Sequence, residues 1–266
     1  METHVMLSRS AAGRLGERLR QGTKDPSDFA ELVVYCQQVK LATAQVLPIV
    51  RSATVATAVD RSGKSFLSIV EKLRRQSIRL PQIQDIEGCR VIVDSRSEQD
   101  ALSLRLQALL ADPQVDDRRA NPTHGYRAVH IVPRIGGERY EIQIRTKLQH
   151  VWAQLVELWA EKVDRDLKYG GGPESLAKSL FVLSEHINQL ESCEVILFNA
   201  YTGQDIDDAD FTALHDSLVP GDDSETIASW FERLEEPGIV PRISSLVLKL
   251  KDDVLRQFDE IDRAGR

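Results

Sequence analysis

A carboxylate, an amide and a guanidinium occupy every second position of Glu141-Ile142-Gln143-Ile144-Arg145. That is the period of a half-buried strand, with Ile142 and Ile144 turned into a core on its other face. Upstream, His130 to Arg134 also reads as extended, and Ile135-Gly136-Gly137-Glu138 has the spacing of a two-residue hairpin turn. With the two glycines as the loop, Ile135 faces Glu138, Val132 faces Glu141, His130 faces Gln143 and Ala128 faces Arg145. Residues directly opposite share a face. Tyr126, His130, Glu141, Gln143 and Arg145 are therefore expected together on one side of a sheet.

Those residue types suit chemistry on a nucleotide. Asp85 and Glu141 are the acids expected at a strand end or on the polar face, and two converging carboxylates fit an oxygen-ligated Mg²⁺ better than zinc, which takes Cys or His. Lys64, Lys72, Arg75, Arg90, His130 and Arg145 are placed to neutralise the oxygens of a polyphosphate. Tyr126 offers a ring for stacking a base, and Glu141 a carboxylate that accepts a hydroxyl proton. The reaction this implies is phosphoryl or pyrophosphoryl transfer between nucleotides. Taken singly, each residue has a plainer reading: a strand Tyr fills a core, a lone His is structural, and an Asp before Gly forms a turn. The shared face is what sets them apart.

The elements that must carry these residues can be placed from the pattern. Residues 8–20 read as a helix, and Asp25-Pro26 opens a stronger one with Phe29, Leu32, Val33, Cys36, Val39, Thr43, Val46 and Leu47 on its apolar side. Gly63 or Ser65 begins the next helix, with Phe66, Ile69, Val70 and Leu73 inward. Gly63-Lys64-Ser65 is a weak match to a phosphate-binding loop, but the end of a helix that follows it is a ready anion site. A β-branched run gives a strand at 88–93, with Cys89, Val91 and Val93 on one side and Arg90 on the other. Residues 98–110 form a helix whose Leu102, Leu104 and Leu106 to Leu110 cover the sheet. Residues 112–123 read as a polar loop. After the hairpin, helices are expected from Lys147 to about Leu167, over 175–200, over 224–235 and over 242–263, the last with an apolar stripe from Ile243 to Phe258. The pattern gives an α/β (α+β) fold in three parts: an N-terminal helical segment (1–55), a core (56–170) and a C-terminal helical, acidic region (171–266).

The net charge of -7 is unevenly spread, because residues 201–266 hold 16 acids against 7 bases. A basic run, Arg61, Lys64, Lys72, Arg74, Arg75 and Arg79, stands out against this acidic total. It suits a compact phosphate-rich ligand better than an extended duplex, though a solvated basic helix face would look the same. Three cysteines without metal-ligand spacing, no basic-then-apolar N-terminus and no apolar run near 18 residues lead to the expectation of a cytoplasmic protein with no membrane partner.

Four motifs in order carry a resemblance: Lys64-Ser65 with Ser68-Ile69, Lys72-Leu73 and Arg75; Asp85-Ile86-Glu87-Gly88-Cys89-Arg90; Gly125-Tyr126-Arg127-Ala128-Val129-His130; and Glu141-Ile142-Gln143-Ile144-Arg145-Thr146. Over about residues 60–165 the chain resembles the synthetase domain of RelA/SpoT proteins. The resemblance implies a mixed β-sheet of nucleotidyltransferase-like type with helices packed around it, and transfer of the β,γ-pyrophosphate of ATP to a ribose 3′-hydroxyl. By the same resemblance Asp85 holds Mg²⁺ and Glu141 is the base or a second metal contact. Arg90, with Arg61, would stack on adenine, and Lys64, Lys72 and Arg75 would hold ATP phosphates. Tyr126 would stack on the acceptor base, with His130, Gln143 and Arg145 completing the acceptor side. The family's arginine two residues before the motif lysine is here Ser62, with Arg61 or Arg51 as the substitute for it.

The N-terminal segment shows no His-Asp metal cluster, so a small, single-activity relative of the alarmone synthetases is expected, a group that includes toxins modifying the tRNA 3′ end. Three readings stand: a synthetase making (p)ppGpp-type alarmone from ATP and a guanine nucleotide, a toxin acting on the tRNA acceptor end and restrained by an antitoxin, and a degenerate nucleotide-binding module. The C-terminal stripe is expected to pack on its own domain or in a homo-oligomer.

Overall fold

A computed structural model describes residues 6–202, apart from Lys24 and Ser62, together with Arg256. The helices expected at 224–235 and 242–263, and the Ser62 position, lie outside the described residues. Packing divides the chain into two units. The first comprises Met1–Ile92, Ala101–Asp117 and Val129–Ile144; the second comprises Val93–Asp100, Arg118–Ala128 and Arg145–Arg266.

In the first unit, α1 (Arg9–Gln21) starts where the Ser8 hydroxyl accepts from the Ala11 amide, and α2 (Pro26–Thr43) where Asp25 caps and Pro26 supplies a preset φ. The chain breaks after Thr43, so Val46 and Leu47 belong to a separate helix, α3 (Val46–Ala53). Leu32, Tyr35 and Val39 are the buried side of α2, whereas Phe29, expected inward, is exposed in the first turn. Ser65 caps α4 (Phe66–Arg75), whose Ile69 and Leu73 join Leu15, Leu19, Leu32 and Leu80 in one hydrophobic core. Phe66, the first helical residue, is exposed, because no preceding turn draws it inward.

Strand β1 (Ala58–Asp60) is antiparallel to β2 (Gly88–Val93), which lies where its β-branched run places it. Helix α5 (Arg96–Leu109) buries Leu102 and Leu106; Leu104 and Leu109 are exposed, as the 3.6-residue turn requires of positions off that stripe. Part of the expected loop at 112–123 is a strand, β3 (Gln114–Asp117), antiparallel to β4 (Val129–Val132). Its exposed polar sequence gave no alternation to read, since it lies at the edge of the sheet.

Strands β5 (Arg134–Ile135) and β6 (Glu138–Arg139) form a separate ribbon around Gly136 and Gly137, whose φ values of 59° and 86° are those a two-residue hairpin turn demands. Strand β7 (Glu141–Thr146) then rejoins the main sheet, whose order is β1-β2-β7-β4-β3. The expected register is the observed one: Ile135 faces Glu138 and His130 faces Gln143. The β4–β7 ladder ends at Val129 opposite Ile144, so the expected pairing of Ala128 is not part of it; the Ala128 carbonyl instead accepts from the Arg118 amide. Strands β2 and β7 begin side by side, the Glu141 amide donating to the Glu87 carbonyl at 3.1 Å, which makes them the parallel pair of a mixed sheet.

In the second unit, α6 (Lys147–Lys162) ends earlier than expected and is followed by a short 3-10 turn to Tyr169. Its Leu148, Trp152 and Val156 pack with Leu180 and Ile187 of α7 (Glu174–Thr202). No helix among the described residues is long and apolar enough to cross a membrane.

Candidate active site

Gly88 is where the sheet and the first carboxylates meet. A Cβ there would lie 2.5 Å from the Glu141 carbonyl oxygen, so only glycine lets β2 start this close to β7. The same turn is fastened from the other side, with the Arg61 amide donating to the Gly88 carbonyl (2.8 Å) and the Lys64 amide to the Ile86 carbonyl (3.1 Å). Lys64, at the foot of α4, and Lys72, in its last turns, are thereby brought to Asp85.

Each lysine takes one oxygen: Lys64 Nζ lies 2.7 Å from Asp85 Oδ2 and Lys72 Nζ 2.7 Å from Oδ1. Burial works to raise the Asp85 carboxyl, but the ammoniums of Lys72 and Lys64 more than offset it and bring the group to about 2. Arg75 stands exposed one turn beyond Lys72, and Arg90 is half-buried on β2, opposite Val59 of β1.

Glu141 is held by its sheet neighbours. His130 Nδ1 lies 3.1 Å from Oε1, Gln143 Nε2 donates to Oε2 at 2.7 Å, and Arg61 approaches Oε2 at 3.9 Å. Burial and the charge of Asp85 act to raise the Glu141 carboxyl; the hydrogen bonds and charge supplied by His130, and the Gln143 amide, prevail and keep it below the ordinary range. The alternation of β7 leads one to expect a solvated polar face, but that face is buried: Glu141 is 8% exposed, Gln143 6% and His130 3%. The strand is covered on both faces, and its polar groups are paired with one another rather than with water.

In the second unit Tyr126 and Arg145 meet. The Tyr126 hydroxyl accepts from Arg145 Nη2 at 2.9 Å, and the Arg145 guanidinium carbon lies 4.9 Å from the ring centroid; that of Arg118 lies 5.8 Å away. Arg119, its neighbour, is paired with Asp100 at 2.6 Å. Arg127, between the motif residues, is buried and bonded to Ser184 and Glu185 of α7. That anchoring was hidden from the sequence reading, because its partners lie more than 50 residues away.

Carboxylate oxygens are the ligands a magnesium ion takes, although each Asp85 oxygen is held by a lysine in the structure. Two ionised carboxylates offer hard oxygens, and no group of three or more His, Cys, Asp or Glu among the described residues forms a dedicated cage. Such a cation is commonly shared between one or two carboxylates and substrate phosphates.

Residues 61–165 match the family model for the region found in RelA / SpoT proteins. An uncharacterised protein of Mycobacterium tuberculosis is 34% identical over 180 residues, which are 64% of this chain and 65% of that protein. The GTP pyrophosphokinase YjbM of Bacillus subtilis is 32% identical over 144 residues, 48% of this chain and 65% of the relative. The chain thus spans about 65% of the length of these curated relatives. Among solved structures, the small alarmone synthetase 2 of Bacillus subtilis superposes with a TM-score of 0.47 at 25% identity, covering 61% of this chain and 92% of that one.

Proposed function

We propose that the chain is a pyrophosphotransferase that moves the β,γ-diphosphate of ATP to the ribose 3′-hydroxyl of a guanine nucleotide. The reading rests on one observation: within a RelA/SpoT region, Asp85 is gripped by Lys64 and Lys72 while Glu141 is kept ionised by His130 and Gln143. The Bacillus relative is named a GTP pyrophosphokinase, which supports the reading.

Glu141 accepts the proton of the 3′-hydroxyl; the oxygen forms a bond to the β-phosphorus; the bond from the β-phosphorus to the oxygen bridging it to the α-phosphorus breaks, and AMP leaves with that oxygen. Lys64, Lys72 and Arg75 neutralise the triphosphate, Arg61 and Arg90 flank the adenine, and Tyr126 with Arg145 receives the acceptor base. His130 and Gln143 hold the Glu141 carboxylate in place. Magnesium, when bound by Asp85 and Glu141, supplies charge neutralisation at the phosphate oxygens.

A tRNA acceptor end is the second reading, for which the adjacent cations Arg118 and Arg119 are the motive. Incubation with ATP labelled in the γ-phosphate plus GDP, GTP, AMP or bulk tRNA, with separation of the products, tests the proposal. A labelled guanosine 3′-diphosphate is expected; label on tRNA alone, or no transfer at all, overturns it.

A further inference from the structure

Helix α7 lies beyond the matched residues 61–165 and takes no part in the chemistry above. Its inward residues are Leu180, Ser184, Ile187 and Glu191, spaced four, three and four apart and none more than 6% exposed. Two of the four are polar and one is a carboxylate, groups that are costly to bury without partners. Their partners are specific. Ser184 Oγ donates to the Gly125 carbonyl and accepts from Arg127 Nε at 3.2 Å, while Glu185 pairs with the same guanidinium. Gly125 and Arg127 are the residues on either side of Tyr126. Glu191 accepts from the Thr146 hydroxyl and, at 2.8 Å, from Gln149 Nε2. Thr146 follows Arg145 and, with Gln149, caps α6.

Helix α7 therefore holds a residue adjacent to each member of the Tyr126–Arg145 pair, at the Gly125 carbonyl and the Thr146 hydroxyl. Between Ser184 and Glu191 runs a hydrogen-bonded rod of about 10 Å, the rise of seven helical residues.

We propose that Ser184 and Glu191 are positioning residues for the acceptor subsite: by fastening these two points to one helix, they set the geometry of Tyr126 and Arg145 and with it the binding of the acceptor's base. The inference rests on the reading of Tyr126 as the acceptor's stacking ring. In the full chain, Ser184→Ala and Glu191→Gln are each expected to raise the acceptor KM roughly three- to tenfold, the loss of one buried hydrogen bond, with the ATP KM unchanged. Ser184→Thr, which keeps the hydroxyl, is expected to restore it. Equal changes in both KM values, or a loss of active fraction with neither KM altered, would mean that α7 only stabilises the fold.

Hydrogen exchange without nucleotide separates this inference from the catalytic one. Amides of residues 119–127 are expected to exchange about tenfold faster in Ser184→Ala. Glu185→Gln, at a partly exposed site touching the same arginine, serves if Ser184→Ala does not fold. Unchanged exchange in that loop overturns the positioning role whether or not any acceptor is turned over. Faster exchange in a protein that transfers to no acceptor supports the positioning role and overturns the activity instead.

Discussion

His130 Nδ1 lies 3.1 Å from Glu141 Oε1, and both side chains are buried at the centre of the sheet. This pair gives Glu141 its low pKa and an orientation, because an imidazole donor favours the ionised carboxylate. Removing the donor therefore raises the Glu141 pKa. In His130→Leu the acid limb of the kcat/KM profile is expected to move to higher pH, while Glu141→Gln lowers kcat by roughly 10² to 10⁴ at every pH, the usual contribution of a general base. Initial rates across the pH range check both. An acid limb that stays put in His130→Leu would detach the histidine from the carboxylate.

The Asp85–lysine cluster makes stability depend on pH in a defined direction. The Asp85 carboxyl is lowered in the fold to about 2 from an ordinary 3.8. Its stabilisation is thus complete above 3.8 and is lost as the pH falls toward 2. The shift corresponds to about 2 kcal/mol. Urea denaturation of Asp85→Asn is expected to show a deficit of that order at pH 7 that narrows as the pH falls through this window. A deficit independent of pH would assign the loss to packing instead.

Gly88→Ala places a methyl group 2.5 Å from the Glu141 carbonyl oxygen, a backbone atom that cannot swing aside. Overpacking of this kind costs about 1 to 3 kcal/mol. The urea midpoint is expected to fall accordingly, and transfer to fall further than stability does, because the displaced segment begins at Glu141.

Tyr126→Ala and Tyr126→Phe separate the ring from its hydroxyl. The alanine variant is expected to weaken acceptor binding by about 1 to 3 kcal/mol, as loss of an aromatic stacking partner does, and to leave ATP binding alone. The phenylalanine variant keeps the ring and loses the hydroxyl that accepts from Arg145, so its effect is expected to be several-fold smaller. Isothermal titration with each nucleotide separately decides; a loss confined to ATP would exchange the two subsites.

Local patterns carried much of this in the chain itself. The two glycines of the turn set the hairpin register and hence that His130 faces Gln143, and the alternation after Tyr140 excludes a one-residue slip, which would turn Ile142 and Ile144 outward. Motif order likewise identifies Lys64, Lys72, Asp85, Tyr126 and Glu141 as the residues to watch. Burial and partners follow from tertiary packing. A period-2 pattern shows that Glu141 and Gln143 share a face but not that the face is covered, and a lysine near an anion site does not reveal that Asp85 is the anion it meets. Those pairings join segments 13 to 21 residues apart for Asp85 and more than 50 for Arg127, and no local propensity spans such separations. Local pattern determined β2, β7 and the hairpin register along with the chemistry on offer; the edge strands β1 and β3, the packing of β2 against β7 at Gly88, and that of α7 on residues 125–127 and 146–149 were decided by tertiary structure, which sets which groups are held and by what.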